Sequence, residues 1–195
     1  MRGRYLDALT GRRLGGALFV LCGLVVAAIV LWPEGGDGRG DPPKIQPVRI
    51  VSIPQLGITF AHPRTWTRTV AGSVIRLRSP ERAAVLTFSS PTAGRHTQRL
   101  KSDLEALLRT RFDGAKQVRE GPAMLGRRKV TSFELQGVTS AGVETRALVL
   151  VGSSQWRTYA VTLLTPGLPS AKRLAEVQQM LATVRLFKPI GPSAP

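Results

Sequence analysis

The apolar positions of this chain follow three patterns in turn. From Leu14 to Trp32 they are unbroken, 19 residues without a charge. As a helix rising about 1.5 Å per residue this run is about 28 Å long, close to the roughly 30 Å hydrocarbon core of a bilayer. Further on the apolar positions alternate with polar ones. Gly57 to Pro63 predicts a strand that ends at its proline, Val74 to Arg78 a second and Ala84 to Phe88 a third, with Ser79-Pro80-Glu81-Arg82 as the turn between the last two. From Thr97 to Phe112 the spacing becomes helical. Leu100, Leu104, Leu107, Leu108 and Phe112 share a stripe, and Gly114 is the expected stop. Strands follow at Lys129 to Gln136, Thr145 to Val151 and Gln155 to Leu164, with Gly152-Ser153-Ser154 as a hairpin turn between the last two. A final helix starts after Ser170, its expected N-cap, and carries Leu174, Val177, Leu181 and Val184 at helical spacing. Short connections between the later strands imply an antiparallel sheet, and two amphipathic helices need that sheet to bury their stripes. The expected class is α+β, an α/β/α sandwich preceded by one transmembrane helix.

Charge gives the apolar run a direction. Arg2, Arg4, Arg12 and Arg13 precede it, whereas Glu34, Asp37 and Asp41 outweigh Arg39 and Lys44 after it. The positive-inside bias therefore puts residues 1–13 in the cytoplasm, 14–32 in the membrane and the rest outside. A cleavable signal peptide is the competing reading, since Val26-Ala27-Ala28 offers small residues for a cut. The run continues to Trp32, longer than the roughly 7–15 residues of a signal core, which favours an uncleaved anchor. Cys22 lacks the small residues that a lipidation site has just before its cysteine, and Arg12-Arg13 reads as orientation charge. Residues 33–47 hold four Gly and four Pro in fifteen positions and read as a linker. The folded domain is expected at 48–188 and a frayed tail at 189–195.

Composition narrows the chemistry. The single Cys excludes a disulfide framework, and two His with one Cys are too few for a structural zinc site, so no metal or cofactor is expected. Neither Gly-x-x-x-x-Gly-Lys nor Gly-x-Gly-x-x-Gly occurs in the domain, there is no Gly-x-Ser-x-Gly elbow, and Asp103 and Glu105 are spaced to opposite helix faces. His62 at a strand end and His96 at a helix start read as exposed or capping residues. No residue is assigned a catalytic role. Charge is the anomaly: from Arg49 onward 22 basic residues face 8 acidic ones. The clusters are Arg76 with Arg78 on one strand face and Arg127-Arg128-Lys129 at a turn, candidates for binding an anionic surface. Trp156, on the opposite side of its strand from Tyr159, Val161 and Leu163, is a candidate contact residue.

The segment Gly57-Ile58-Thr59-Phe60-Ala61-His62-Pro63-Arg64-Thr65-Trp66, with the order of elements after it, resembles the opening of the PsbP-like superfamily. Arg157 to Pro166, followed by a helix and Ala182-Thr183-Val184-Arg185-Leu186, resembles its close. The likeness covers about residues 48 to 187. It implies an antiparallel sheet flanked by helices, in a superfamily that includes a photosystem II extrinsic subunit, a Ran-binding nuclear import factor and bacterial envelope proteins of the LpqN and DcrB type. No shared catalytic residue comes with it, only a bias toward binding. The anchor, the abundance of Arg and the absence of Asn resemble those expected of an envelope protein from a high-GC actinobacterium, here without a lipidation cysteine. The expected function is that of a membrane-tethered, non-catalytic protein that binds an anionic lipid, a wall polymer or an acidic envelope protein. Nucleic acid is not an expected partner, because the topology removes the domain from the cytoplasm. An envelope hydrolase or transferase is the second reading.

Overall fold

The computed structural model describes residues 48–91, 96–167 and 169–190. The span expected at 14–32, its flanks and the linker lie outside the described residues. Among the described residues, no helix is long and apolar enough to cross a membrane.

The strands are β1 (Val48–Ile53), β2 (Ile58–Pro63), β3 (Thr67–Ala71), β4 (Val74–Arg78), β5 (Val85–Ser89), β6 (Phe112–Leu125), β7 (Arg128–Thr139), β8 (Glu144–Ser153), β9 (Thr158–Pro166) and β10 (Arg185–Leu186), with helices α1 (Thr97–Arg111) and α2 (Ala171–Ala182). Seven strands form one sheet in the order β3-β4-β5-β9-β8-β7-β6, and three form a second in the order β1-β2-β10. Every pairing is antiparallel.

Alternation on the central strands feeds two cores. On one face Leu100 and Leu104 of α1 meet Phe133, Leu135, Val149, Val151 and Ala160. On the other, Ile75, Leu77, Leu86, Phe88, Leu148, Leu150, Val161 and Leu163 meet Ile58 and Phe60 of the small sheet and Val177, Met180 and Leu181 of α2. The second face is therefore covered by a sheet as well as a helix, which the helical stripes alone do not reveal. Ser170 caps α2 as expected, its hydroxyl accepting from the Arg173 N–H.

Three local expectations are corrected. Gly114 does not stop α1, which ends at Arg111 and runs straight into β6; Gly114 sits within β6 at a break in register between Asp113 and Lys116. The β8–β9 turn is Ser154–Arg157, where the Ser154 hydroxyl accepts from the N–H groups of Trp156 and Arg157. Gly152 instead stays in the ladder opposite Tyr159. It is needed there for space, since a Cβ would meet Val130 Cγ1 at 2.4 Å. Past β10 the chain stays attached as far as Ile190: Phe187 N–H donates to Gly57 O at 2.8 Å and Ile190 N–H to Pro54 O at 2.9 Å, while the rest of the expected tail, 191–195, lies outside the described residues.

Candidate anion-binding surfaces

The β6–β7 hairpin turns on Gly126 and Arg127, with Leu125 opposite Arg128 and Met124 opposite Lys129. Gly126 has φ +59°, the value a two-residue hairpin wants at its first central position. Its N–H donates to Leu181 O at 2.8 Å, fixing the turn to the end of α2. Arg127, Arg128 and Lys129 are all exposed. Among the described residues no carboxylate pairs with any of them, and Met124 beside them is 44% exposed.

Trp156 lies in the β8–β9 turn rather than on a strand face, half-buried, with its backbone N–H held by the Ser154 hydroxyl at 3.1 Å. Because β7 and β8 are antiparallel neighbours, with Thr131 opposite Val151, the two hairpin turns stand at the same end of the sheet. Tyr159, at the start of β9 opposite Gly152, donates its hydroxyl to Leu56 O at 3.0 Å. Burial raises its hydroxyl pKa, against the opposing pull of Ser154, Arg157 and Arg128. One end of the sheet thus gathers Arg127, Arg128, Lys129, Arg157, Met124 and Trp156.

Arg76 and Arg78 lie elsewhere. They share a face of β4, half-buried, and β5, β9 and β8 separate that strand from β7. Four strand spacings are about 19 Å, so the two basic clusters form separate surfaces.

The remaining charged side chains are mostly structural. Trp66 Nε1 donates to Glu176 Oε2 at 2.8 Å. Arg173 pairs with that same oxygen and with Glu81, and its guanidinium lies 5.7 Å from the Trp66 ring centroid. This network fixes α2 to the start of β3 and to the β4–β5 turn. Glu134 on β7 is buried, with Arg146 Nη1 3.7 Å away; desolvation raises its pKa, partly offset by Arg146 and Arg119. His62 is buried, not exposed as expected, because its position in β2 points it into the layer occupied by Phe60; its Nδ1 is 2.8 Å from Pro63 O. Burial lowers its pKa, and Arg68 and Arg49 lower it further. His96 is exposed at the start of α1 and makes no side-chain cap bond.

No family model matches the chain, and no curated protein does. Solved structures do. Protein Mog1, as a point variant, aligns with TM-score 0.51 and 9% identity over 73% of this chain and 97% of its own. A protein from Bacteroides thetaiotaomicron aligns with TM-score 0.52 and 12% identity over 70% of this chain; the match spans about half of that protein, 47%. The solution structure of cyanobacterial PsbP from Synechocystis aligns with TM-score 0.49 and 13% identity, over 78% of this chain and 100% of that one. At such identities the likeness is one of fold alone. Antiparallel sheets with two helices, in the arrangement shared with Mog1, are a PsbP-like α+β fold.

Proposed function

We propose that the chain is a membrane-tethered, non-catalytic envelope protein whose domain binds an anionic membrane surface through the hairpin end of its large sheet. In this reading it is a bacterial envelope member of the PsbP-like group, akin to the LpqN and DcrB type, with the charge balance and Asn-free composition of a high-GC actinobacterium. The observation that carries it is the convergence of Arg127, Arg128 and Lys129 with exposed Met124 and half-buried Trp156 on two adjacent turns. Cations meet phosphate headgroups there, while a methionine and an indole suit the boundary between headgroup and acyl chain. Each basic residue near an anionic bilayer contributes about 1 kcal/mol, so the attraction is weak. A linker at 33–47 makes weakness sufficient, because it keeps the domain close to the surface.

The test is co-sedimentation of segment 48–190, its folding checked by circular dichroism, with phosphatidylglycerol vesicles. Binding at low salt should fall at least about tenfold in the variant carrying Arg127→Glu, Arg128→Glu and Lys129→Glu, and should fade at high salt as screening shortens to a few ångströms. Equal binding by both proteins refutes the surface. The tether is tested by protease shaving of intact cells, which should remove the domain; a domain protected in intact cells and in spheroplasts refutes the orientation.

A further inference from the structure

The face of the large sheet that α1 covers changes character part-way across. One row of cross-strand partners reads Thr69 on β3, Arg76 on β4, Thr87 on β5, Thr162 on β9, Val149 on β8 and Phe133 on β7. Directly opposed residues share a face, so all six belong to one surface. Val149 and Phe133 form the dry core under α1, which packs on β6, β8 and β9. The other four are polar or cationic, and Arg78, two residues along β4 with Thr67 opposite, extends the same surface.

Two adjacent members of this row are unsatisfied. Arg76 Nε and Thr87 Oγ1 are both buried and, among the described residues, have no hydrogen-bond partner. More than nine-tenths of buried polar groups are paired, so two neighbouring orphans on one row require an explanation. Charge sharpens the point: burial and Arg78 both work against the Arg76 cation, and among the described residues no carboxylate pairs with either arginine.

We propose that this row is an oxyanion site for a phosphate group, held on β4 and β5 beside α1 by the guanidinium groups of Arg76 and Arg78 and by the Thr87 hydroxyl, with Thr162 and Thr69 at its margins. The donors select the ligand class. A planar carboxylate is filled by one arginine fork, whereas a tetrahedral phosphate has oxygens for a second guanidinium and a hydroxyl as well. Arg76 and Arg78 are spaced about 7 Å apart along the strand, able to bracket one such group. This site goes beyond the function proposed above: it lies about 19 Å from the hairpin surface and binds whether or not that surface meets a membrane.

The experiment uses the full chain, 15N-labelled, in nonionic detergent at constant ionic strength, titrated with inorganic phosphate and separately with acetate. Phosphate should shift the Arg76 Nε–H and Thr87 amide signals saturably, and acetate should not. Arg76→Gln should weaken binding about tenfold, and Arg78→Gln replaces it as the test variant if Arg76→Gln fails to fold. Thr87→Val should weaken binding several-fold while raising the thermal midpoint in phosphate-free buffer, because it removes an unpaired hydroxyl. The Arg127→Glu, Arg128→Glu, Lys129→Glu variant should bind phosphate as the parent does, which separates this site from the hairpin surface. A parallel titration with phosphatidylglycerol and phosphatidylcholine nanodiscs distinguishes the sources: shifts in free phosphate identify a soluble ligand, and shifts confined to phosphatidylglycerol identify a headgroup. The proposal is overturned by acetate acting as phosphate does, by no saturable shift with any phosphate source, or by Thr87→Val leaving affinity unchanged.

Discussion

Among single residues, Glu134 carries the clearest titration signature. Its carboxyl is buried on β7, and one oxygen, Oε1, has no hydrogen bond among the described residues although Arg146 stands 3.7 Å away. Desolvation dominates and raises its pKa above the ordinary 4.5. A carboxyl whose folded pKa is raised takes up protons more readily folded than unfolded. Its stabilising effect is therefore complete below about pH 4.5 and is lost as pH rises through the folded value. At pH 7 the ionised carboxylate is a burden on the fold. Glu134→Gln should raise the urea midpoint at pH 7, with the gain shrinking toward zero below about pH 4.5. A variant less stable than the parent at pH 7 would mean that attraction to Arg146 and Arg119 outweighs desolvation.

Elements are where two glycines of similar conformation part ways. Gly114 and Gly126 have φ +63° and +59°, so any other residue is strained at either place by roughly 1–2 kcal/mol. Space separates them. A Cβ on Gly114 meets nothing within 4 Å, whereas one on Gly126 would lie 2.0 Å from Val184 O, backbone that cannot swing aside. Gly114→Ala should thus cost only the conformational strain, and Gly126→Ala clearly more, read as the difference between their thermal midpoints. Equal losses would show that the end of α2 yields freely. The same contrast explains which elements are legible in sequence. Strands β4, β5, β7, β8 and β9 bury at least one face, and their alternation or apolar runs are plain. Strand β3 is exposed throughout and β6 mostly so, since both are edges, and their residues carry no two-residue period to read. Strand β1 is similarly exposed apart from Val51 and half-buried Ile53, and β10 is only two residues long.

At the scale of the molecule, charge clusters are legible and their partners are not. Arg127-Arg128-Lys129 are consecutive, and Arg76 and Arg78 share a face by simple alternation, so both sets can be found in the sequence. That Trp156 belongs beside the first set follows from pairing of β7 with β8, and that Thr87 stands unpaired beside Arg76 follows from pairing of β4 with β5. Neither is encoded by spacing along the chain. The same long-range pairing determines how the domain unfolds. Both cores are built on one sheet: Phe133 on its β7 faces α1, and Phe60, on β2 of the opposite layer, packs on its other face against Phe88, each almost wholly buried. Losing either layer exposes a face of the strands that support the other, so the two cannot melt independently. Phe133→Ala and Phe60→Ala should each lower stability by about 3–5 kcal/mol, and segment 48–190 should still unfold in a single transition. Coincident melting curves by far-ultraviolet and near-ultraviolet circular dichroism are the expected result for parent and variants. Two resolved transitions in the Phe133→Ala protein, with α1 lost first, would show that the helical layer is energetically separate from the sheet.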